Sequence, residues 1–487
     1  MTLADLLFAP ADPVDPGALA VHAGGVDHTW ADLRARAETV AADLAATGVG
    51  PGRAVGVALP NGAELVATLF GVWRAGAVYV PINPRLTADE IDHVVASTAP
   101  AALVRPGGVE ARAEPRGYDP DTALVSFTSG TTGRPKPVLL THTGVAVLLD
   151  GVIATLRGGS TGGSSAGTAK PGKPPMPNLI PVSLSLWAGI YNVLFALRVG
   201  APVVVMDGFD PVELATLVRR FGIRSTVLPP AAMVALVDDE RVADLEPLRF
   251  VRSITAPLSP RQARRFRDRF GISVLNCYGQ TEIGGEIIGW SAADSRAHGD
   301  DKLGSVGRPH QGVDVRIDAP DGDGAGELQV RTPATSAGYA DGADLSDRMT
   351  GDGWFRTGDI ARIDADGFVW IEGRLSDMVN RGGLKVFPGD VEEVLLSSPE
   401  VADAAVVGRP DDRLGEVPVA FVVPATGVAP TSDGLSDYCR AHLAPYKVPV
   451  RFEIVDALPR NEVGKVLKTE LAARADVSRT ASEGSQR

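Results

Sequence analysis

From residue 29 the chain sets short β-branched runs between segments of helical period, and that alternation most narrows its fold. Trp30, Leu33, Ala37, Val40, Ala41, Leu44 and Ala45 recur at helical spacing before Gly48, predicting a helix over 29–49. Val55-Gly56-Val57-Ala58-Leu59 predicts a strand, 62–75 a helix, and Ala77-Val78-Tyr79-Val80-Pro81 a further strand. Strand, helix and strand at this spacing form βαβ units, whose strands pair in parallel. The pattern resumes at Pro202–Met206, a helix at 211–221 and a strand at Ser225–Leu228. The fold class is α/β.

One loop in this frame is dense in anion-binding groups. Ser126-Phe127-Thr128-Ser129-Gly130-Thr131-Thr132-Gly133-Arg134-Pro135-Lys136 stands between the apolar runs Ala123–Val125 and Val138–Leu140. Glycines let backbone N–H groups converge on a phosphate, hydroxyls add donors, and Lys136 supplies a point charge. The lysine does not follow the second glycine, so this is not a Walker A loop. Ser/Thr/Gly clusters between strands are also ordinary loops, and the residues alone leave both readings open.

Four later stretches carry the same ambiguity. In Tyr278-Gly279-Gln280-Thr281-Glu282, a carboxylate beside a hydroxyl can hold Mg²⁺ and a phosphate oxygen, and the aromatic can stack on a base. Tyr-Gly turns beside an exposed Glu are also common. In Thr357-Gly358-Asp359, Asp359 can accept both hydroxyls of a ribose, or it is the Asp of a β-turn. Gly382-Gly383, shortly before Phe387-Pro388, reads as a tight loop ahead of a helix with proline at its first position. Gly464-Lys465 sits in Pro459-Arg460-Asn461-Glu462-Val463-Gly464-Lys465-Val466-Leu467-Lys468, where a solvated surface lysine is the ordinary reading.

Composition bounds the partners. The net charge of −13, with no Lys/Arg cluster to offset it, argues against nucleic acid. No apolar run approaches the ~20 residues of a membrane span, and Met1-Thr2-Leu3-Ala4-Asp5 lacks signal-peptide character. Cys277 and Cys439 lie far apart and suggest neither a disulfide framework nor a metal cluster, which points to a reducing, cytoplasmic setting. Residues 158–178, rich in Gly, Ser and Pro, read as a mobile surface loop, and the tail from Ser478 reads as disordered. From residue 313 alternating runs joined by Asp/Gly turns predict antiparallel strands. A compact β–α pattern follows Leu375–Asp377: a helix at 388–398, strands Val401–Val407 and Val417–Val423, and helices near 433–443 and 468–474.

In order, the five stretches resemble the signature motifs of the adenylate-forming enzymes: acyl-CoA synthetases, peptide-synthetase adenylation domains and firefly luciferase. The likeness is closest to the acyl-CoA synthetases, to which Gly76–Pro84 and Gly415–Pro418 are also similar. The resemblance implies a large N-terminal domain (1–375) of two parallel-type αβ subdomains plus a distorted β-barrel. A small, mobile C-terminal α+β domain (376–487) would carry the catalytic lysine and the tail. It implies that Thr128, Ser129, Gly130, Thr131, Thr132 and Lys136 hold the phosphates of ATP. Tyr278, with Gly279 and Gln280, would flank the adenine, Thr281 touch the phosphate and Glu282 bind Mg²⁺. Asp359 would hold the ribose, with Ile371 and Arg374 completing the nucleotide site. Gly382 and Gly383 would line the path of coenzyme A, and Lys465 would bridge the substrate carboxylate and the α-phosphate.

The implied acid pocket is Ser183–Trp187 (Ser183, Leu184, Trp187), Pro229–Met233 (Ala231 among them), Ile254-Thr255 and Ile283-Gly284-Gly285. It reads as apolar. The 183–187 stretch has no carboxylate to hold an α-amine, so a hydrophobic carboxylic acid is expected and an amino acid is not. The implied activity is an acid–CoA ligase: acid and Mg·ATP give acyl-adenylate and pyrophosphate, then CoA takes the acyl group and AMP leaves. A stand-alone adenylation enzyme loading a carrier protein and a non-catalytic nucleotide-binding homologue are the alternatives. Four positions depart from the family pattern. Pro137 stands for a glycine, Leu184 for the histidine of Pro-x-x-His, Ile254-Thr255 for a small pair, and Ser376 for a hinge Asp or Lys. A monomer or a homodimer is compatible with the sequence.

Overall fold

The computed structural model describes residues 2–128, 135–156, 175–460 and 464–483. Its first sheet runs in the order Gly108–Ala111, Ala102–Arg105, Ala54–Val57, Val78–Pro81, Thr122–Phe127, Pro137–Thr141. The inner four strands pair in parallel, and the two edges are antiparallel. Ala54–Val57 and Val78–Pro81 are buried throughout, as expected for parallel strands covered on both faces. One cover is the helix Ala63–Arg74, buried from Leu65 to Trp73. It packs against the helix Trp30–Ala46, which Thr29 and Asp32 start with a capping box.

The second sheet joins distant segments. Its order is Val26–Thr29, Leu19–Ala23, Val203–Val205, Asn178–Ile180, with Val21 opposite Val203 in a parallel pair. A third, parallel sheet holds Ser225–Leu228, Phe250–Ser253 and Ser273–Asn276. The preceding helix, Pro211–Phe221, keeps its expected bounds because all its signals are local: Asp210 caps it, Pro211 opens it and left-handed Gly222 closes it.

Two antiparallel sheets follow. One is Tyr278–Gln280, Gly285–Gly289 and Arg308–Pro309; the other is Asp314–Asp318, Gly326–Arg331, Phe355–Ile363 and Val369–Arg374. Residues from 379 onward build a sheet and apolar clusters of their own. A long antiparallel pair, Val401–Asp411 with Gly415–Pro424, is covered by the helices Pro388–Ser397, Ser432–His442 and Lys468–Glu483.

Three expectations need correction. The first two sheets are mixed, because hairpins close their edges where short connections cannot make a parallel crossover. Asn178 opens a strand instead of ending a loop, since it pairs with Val203; residues 157–174 lie outside the described residues. The last helix runs on to Glu483, past its expected end at 474 and through the start of the supposedly disordered tail at Ser478, because its Leu471 and Ala475 are buried against the C-terminal sheet. Cys277 and Cys439 are free, and no helix among the described residues is long and apolar enough to cross a membrane.

Candidate active site

The strand Thr122–Phe127 and the strand Pro137–Thr141 form an antiparallel pair, so the loop between them is the tip of a hairpin at the sheet's edge. Its base is pinned. Thr128 N donates to Lys136 O at 3.0 Å and Lys136 N donates to Thr128 Oγ1 at 3.3 Å. Lys136 Nζ lies 5.3 Å from the ring centre of Tyr339 and is otherwise exposed. Ser129, Gly130, Thr131 and Thr132 lie outside the described residues. Pro137 is tolerated because Phe127 opposes it at the mouth of the hairpin.

The Tyr278–Glu282 and Thr357–Asp359 motifs, far apart in sequence, meet in one buried network. The Asp359 carboxylate accepts from Tyr278 Oη (2.6 Å) and Gln280 Nε2 (2.7 Å), and Arg374 Nε lies 3.2 Å from its other oxygen. A carboxylate offers roughly four acceptor sites, so a ribose hydroxyl can add to this set, and a second would displace one of these partners. Burial, reinforced by the charge of Asp359, pushes the Tyr278 hydroxyl well above its ordinary value. It stays a donor. Arg374 pairs in register with Asp359 across the strands that hold them, and Ile371 sits half-buried on the same strand.

Gly279 lets this motif sit where it does. A Cβ there would lie 1.7 Å from the carbonyl oxygen of Gly285, so only glycine allows the two strands to cross so closely. Thr281 begins a 3₁₀ turn, half-buried, and Glu282 within it is 8 % exposed.

Arg348 was not foreseen. Its guanidinium donates to Glu282 Oε1 (3.1 Å), Gln280 Oε1 (3.1 Å), Arg356 O (3.0 Å) and Thr357 O (2.7 Å). One side chain therefore ties both motifs together. It ends the 3₁₀ turn Ser346–Arg348, which carries no motif of its own.

Lys465 is brought to this cluster from the far end of the chain. Burial and the charge of Arg374 hold its ammonium below the ordinary lysine value, while Asp377 and Asp359 pull the other way. Gly464 beside it stands at φ +78°, and a Cβ there would come within 3.2 Å of Ala231 Cβ. The C-terminal segment thus lies against the helix Pro230–Asp238 with its lysine facing the nucleotide motifs. Gly382 (φ +62°) and Gly383 (φ +90°) form a two-residue hairpin loop between Val379–Arg381 and Leu384–Val386, a geometry that demands left-handed backbone at both positions.

The expected acid-pocket segments converge as well. Trp187 Nε1 donates to Gly284 O at 2.8 Å, and Ile283 is fully buried behind it. Asn61 staples the entry segment, accepting from Leu184 N at 2.9 Å and donating to Met206 O at 2.9 Å; Ser183 Oγ bonds Ser185 Oγ at 2.6 Å. Ile254 is half-buried, and Thr255 adopts a left-handed φ of +72°. That conformation costs a side-chain-bearing residue on the order of 1–2 kcal/mol, a strain that glycine would not carry.

The pocket's surroundings are not wholly apolar. Arg252 and Glu286 form a buried ion pair, and His310 Nε2 lies 3.0 Å from Glu286 Oε1. Neither residue belongs to a recognisable motif, and only the strand period could have placed them.

A model of the AMP-binding enzyme family matches residues 10–117 and 110–340, and a model of its C-terminal domain matches 390–465. A feruloyl-CoA synthase of Amycolatopsis is 33% identical, over 95% of this chain and 96% of its own length. An indoleacetate–CoA ligase of Aromatoleum aromaticum is 30% identical, over 94% and 95% respectively. The crystal structure of ATP-bound MatB from Rhodopseudomonas palustris superposes with a TM-score of 0.84 at 27% identity, covering 97% of this chain and 99% of that one.

Proposed function

This chain belongs to the AMP-binding enzyme family, the adenylate-forming acyl-CoA ligases, and from that premise we propose that it activates a hydrophobic carboxylic acid and passes it to coenzyme A. The observation that carries this reading is the convergence of Lys465 on Asp359 and Arg374. A half-buried cation beside a carboxylate suited to a ribose can draw together two anions, the acid's carboxylate and the α-phosphate, that otherwise repel. Two of the relatives are named for feruloyl-CoA and for indoleacetate, which supports an acid with an apolar body.

In this reading Thr128 and Lys136 hold the phosphates, while Asp359 and Arg374 fix the ribose. Carboxylate attack on the α-phosphate expels pyrophosphate, and Lys465 stabilises the added charge. Magnesium is usually held by one or two carboxylates together with substrate phosphates, and Glu282 fits that donor set, one of its oxygens being bonded to Arg348. When bound, the ion would neutralise phosphate charge. For the second half-reaction, the part beyond residue 375 turns about Ser376, withdrawing Lys465 and presenting Gly382-Gly383 to the pantetheine arm. The domains accordingly divide into 1–375 and 376–487.

Pyrophosphate release from Mg·ATP across a panel of carboxylic acids, with and without CoA, tests the proposal. Turnover that requires CoA supports the ligase. Release limited to one enzyme equivalent points to a carrier protein or another acceptor, and no release with any acid refutes the activity.

A further inference from the structure

Besides the contact of Gly464 with Ala231, the parts of the chain before and after residue 375 meet along a second seam. There the strand Val369–Arg374 packs against the first turn of the helix Pro388–Ser397. The fit is close. A Cβ on Gly373 would lie 3.4 Å from Phe387 Cδ1, and one on Gly389 would lie 3.8 Å from the carbonyl oxygen of Glu372.

Four charges meet at this seam. On one side Arg362 Nε lies 3.2 Å from Glu372 Oε1, and on the other Lys447 Nζ donates to Asp390 Oδ2 at 2.6 Å. Each carboxylate has its cation on its own side, so the two carboxylates are left to act on each other across the seam. Asp321 adds negative charge from the side of Glu372, and Lys447 reaches back across with the opposite sign. The Glu372 side chain is 26 % exposed, so water screens the repulsion only in part.

We propose that Glu372 is a positioning residue whose charge, set against Asp390 across the seam, loosens the adenylate-forming arrangement and so tunes how readily the part beyond residue 375 turns from one half-reaction to the other. Turning about Ser376 parts the two carboxylates. Whatever neutralises Glu372 therefore stabilises the arrangement seen here, and whatever bares its charge opposes it. This inference rests on the ligase reading and names a residue that sets the balance between its two steps.

The test assays the half-reactions separately in full-length variants, at about pH 8 where both carboxylates are charged. ATP–pyrophosphate exchange with the best acid of the panel above reads adenylation, and thioester formation from that acid's synthetic adenylate and CoA reads the second step. Glu372→Gln removes the repulsion, so thioester formation should slow by about two- to fivefold, the scale of one part-exposed charge pair, with exchange unchanged or faster. Arg362→Met keeps a stem over Trp370 but bares the Glu372 charge, and should move the balance the other way, slowing exchange and sparing thioester formation. Burial, with Asp390 and Asp321, holds the Glu372 carboxyl above its ordinary value of 4.5 against the pull of Arg362. Lowering the pH should therefore slow thioester formation along a limb that lies above 4.5 in the wild type and is lost in Glu372→Gln. Variants that move both half-reactions alike, or a limb that survives in Glu372→Gln, would make Glu372 merely structural and overturn the inference. Exchange with no acid of the panel would instead defeat the ligase reading, and this inference with it.

Discussion

Replacing Arg348 with alanine removes a clamp on the two nucleotide motifs, which Tyr278 and Gln280 also join through Asp359. The largest loss is its charged bond to Glu282, whose side chain is 11 % exposed against 29 % for Arg348. Charged hydrogen bonds contribute about 1.5–3 kcal/mol, and a buried carboxylate left alone costs at the upper end of that range. Water can reach the carbonyls of Arg356 and Thr357 once the guanidinium is gone, so those bonds add little. A loss of about 3 kcal/mol, expressed in the positioning of Glu282 and Asp359, corresponds to roughly 150-fold in rate. Single-turnover formation of acyl-adenylate, followed by quench and separation, measures it directly. Arg348→Lys keeps the charge but not the planar fork, and should fall between the two. The thermal midpoint of Arg348→Ala should drop by roughly 3–6 °C. Adenylation within twofold of wild type, with an unchanged midpoint, would show that the network holds without its clamp.

Other outcomes follow from the same geometry. Lys465→Ala should slow adenylation by about 10²–10³-fold, the usual effect of deleting a preorganised charge, while thioester formation from preformed acyl-adenylate is largely spared. Because burial and Arg374 depress the Lys465 ammonium, it loses its proton on raising pH before an ordinary lysine would. The alkaline limb of kcat/KM, which reports the free enzyme, should therefore bend below the ordinary lysine value of 10.5, and the limb of kcat should lie higher once the ATP polyanion is bound. Gly383→Val forces a branched residue into a backbone at φ +90°. It should cut CoA-dependent thioester release at least tenfold with adenylation within threefold, read by assaying each half-reaction separately.

What was legible in the sequence is what local chemistry sets. The helix Pro211–Phe221 carries its cap, its opening proline and its closing glycine within the segment, and its bounds came out as read. The five motifs stand out because each gathers unusual residue types at fixed spacing. Arg348 does not, since its role lies in four partners contributed by two segments distant in sequence. Arg252 and Glu286 stayed hidden for a related reason: each alone reads as a surface charge, and only the strands that bring them together make them a buried pair.

The pairing of Val21 with Val203 also has a consequence for the chain as it is made. Roughly 180 residues must emerge from the ribosome before the first strand finds its parallel neighbour, which at about 5–20 residues per second is a wait of about 10–35 s. During that time Leu19–Ala23 has only its hairpin partner Val26–Thr29, and its other edge is open to any strand that passes. The nascent protein is thus most exposed to wrong pairing at its beginning, and holding back that one edge is the service a chaperone could render it.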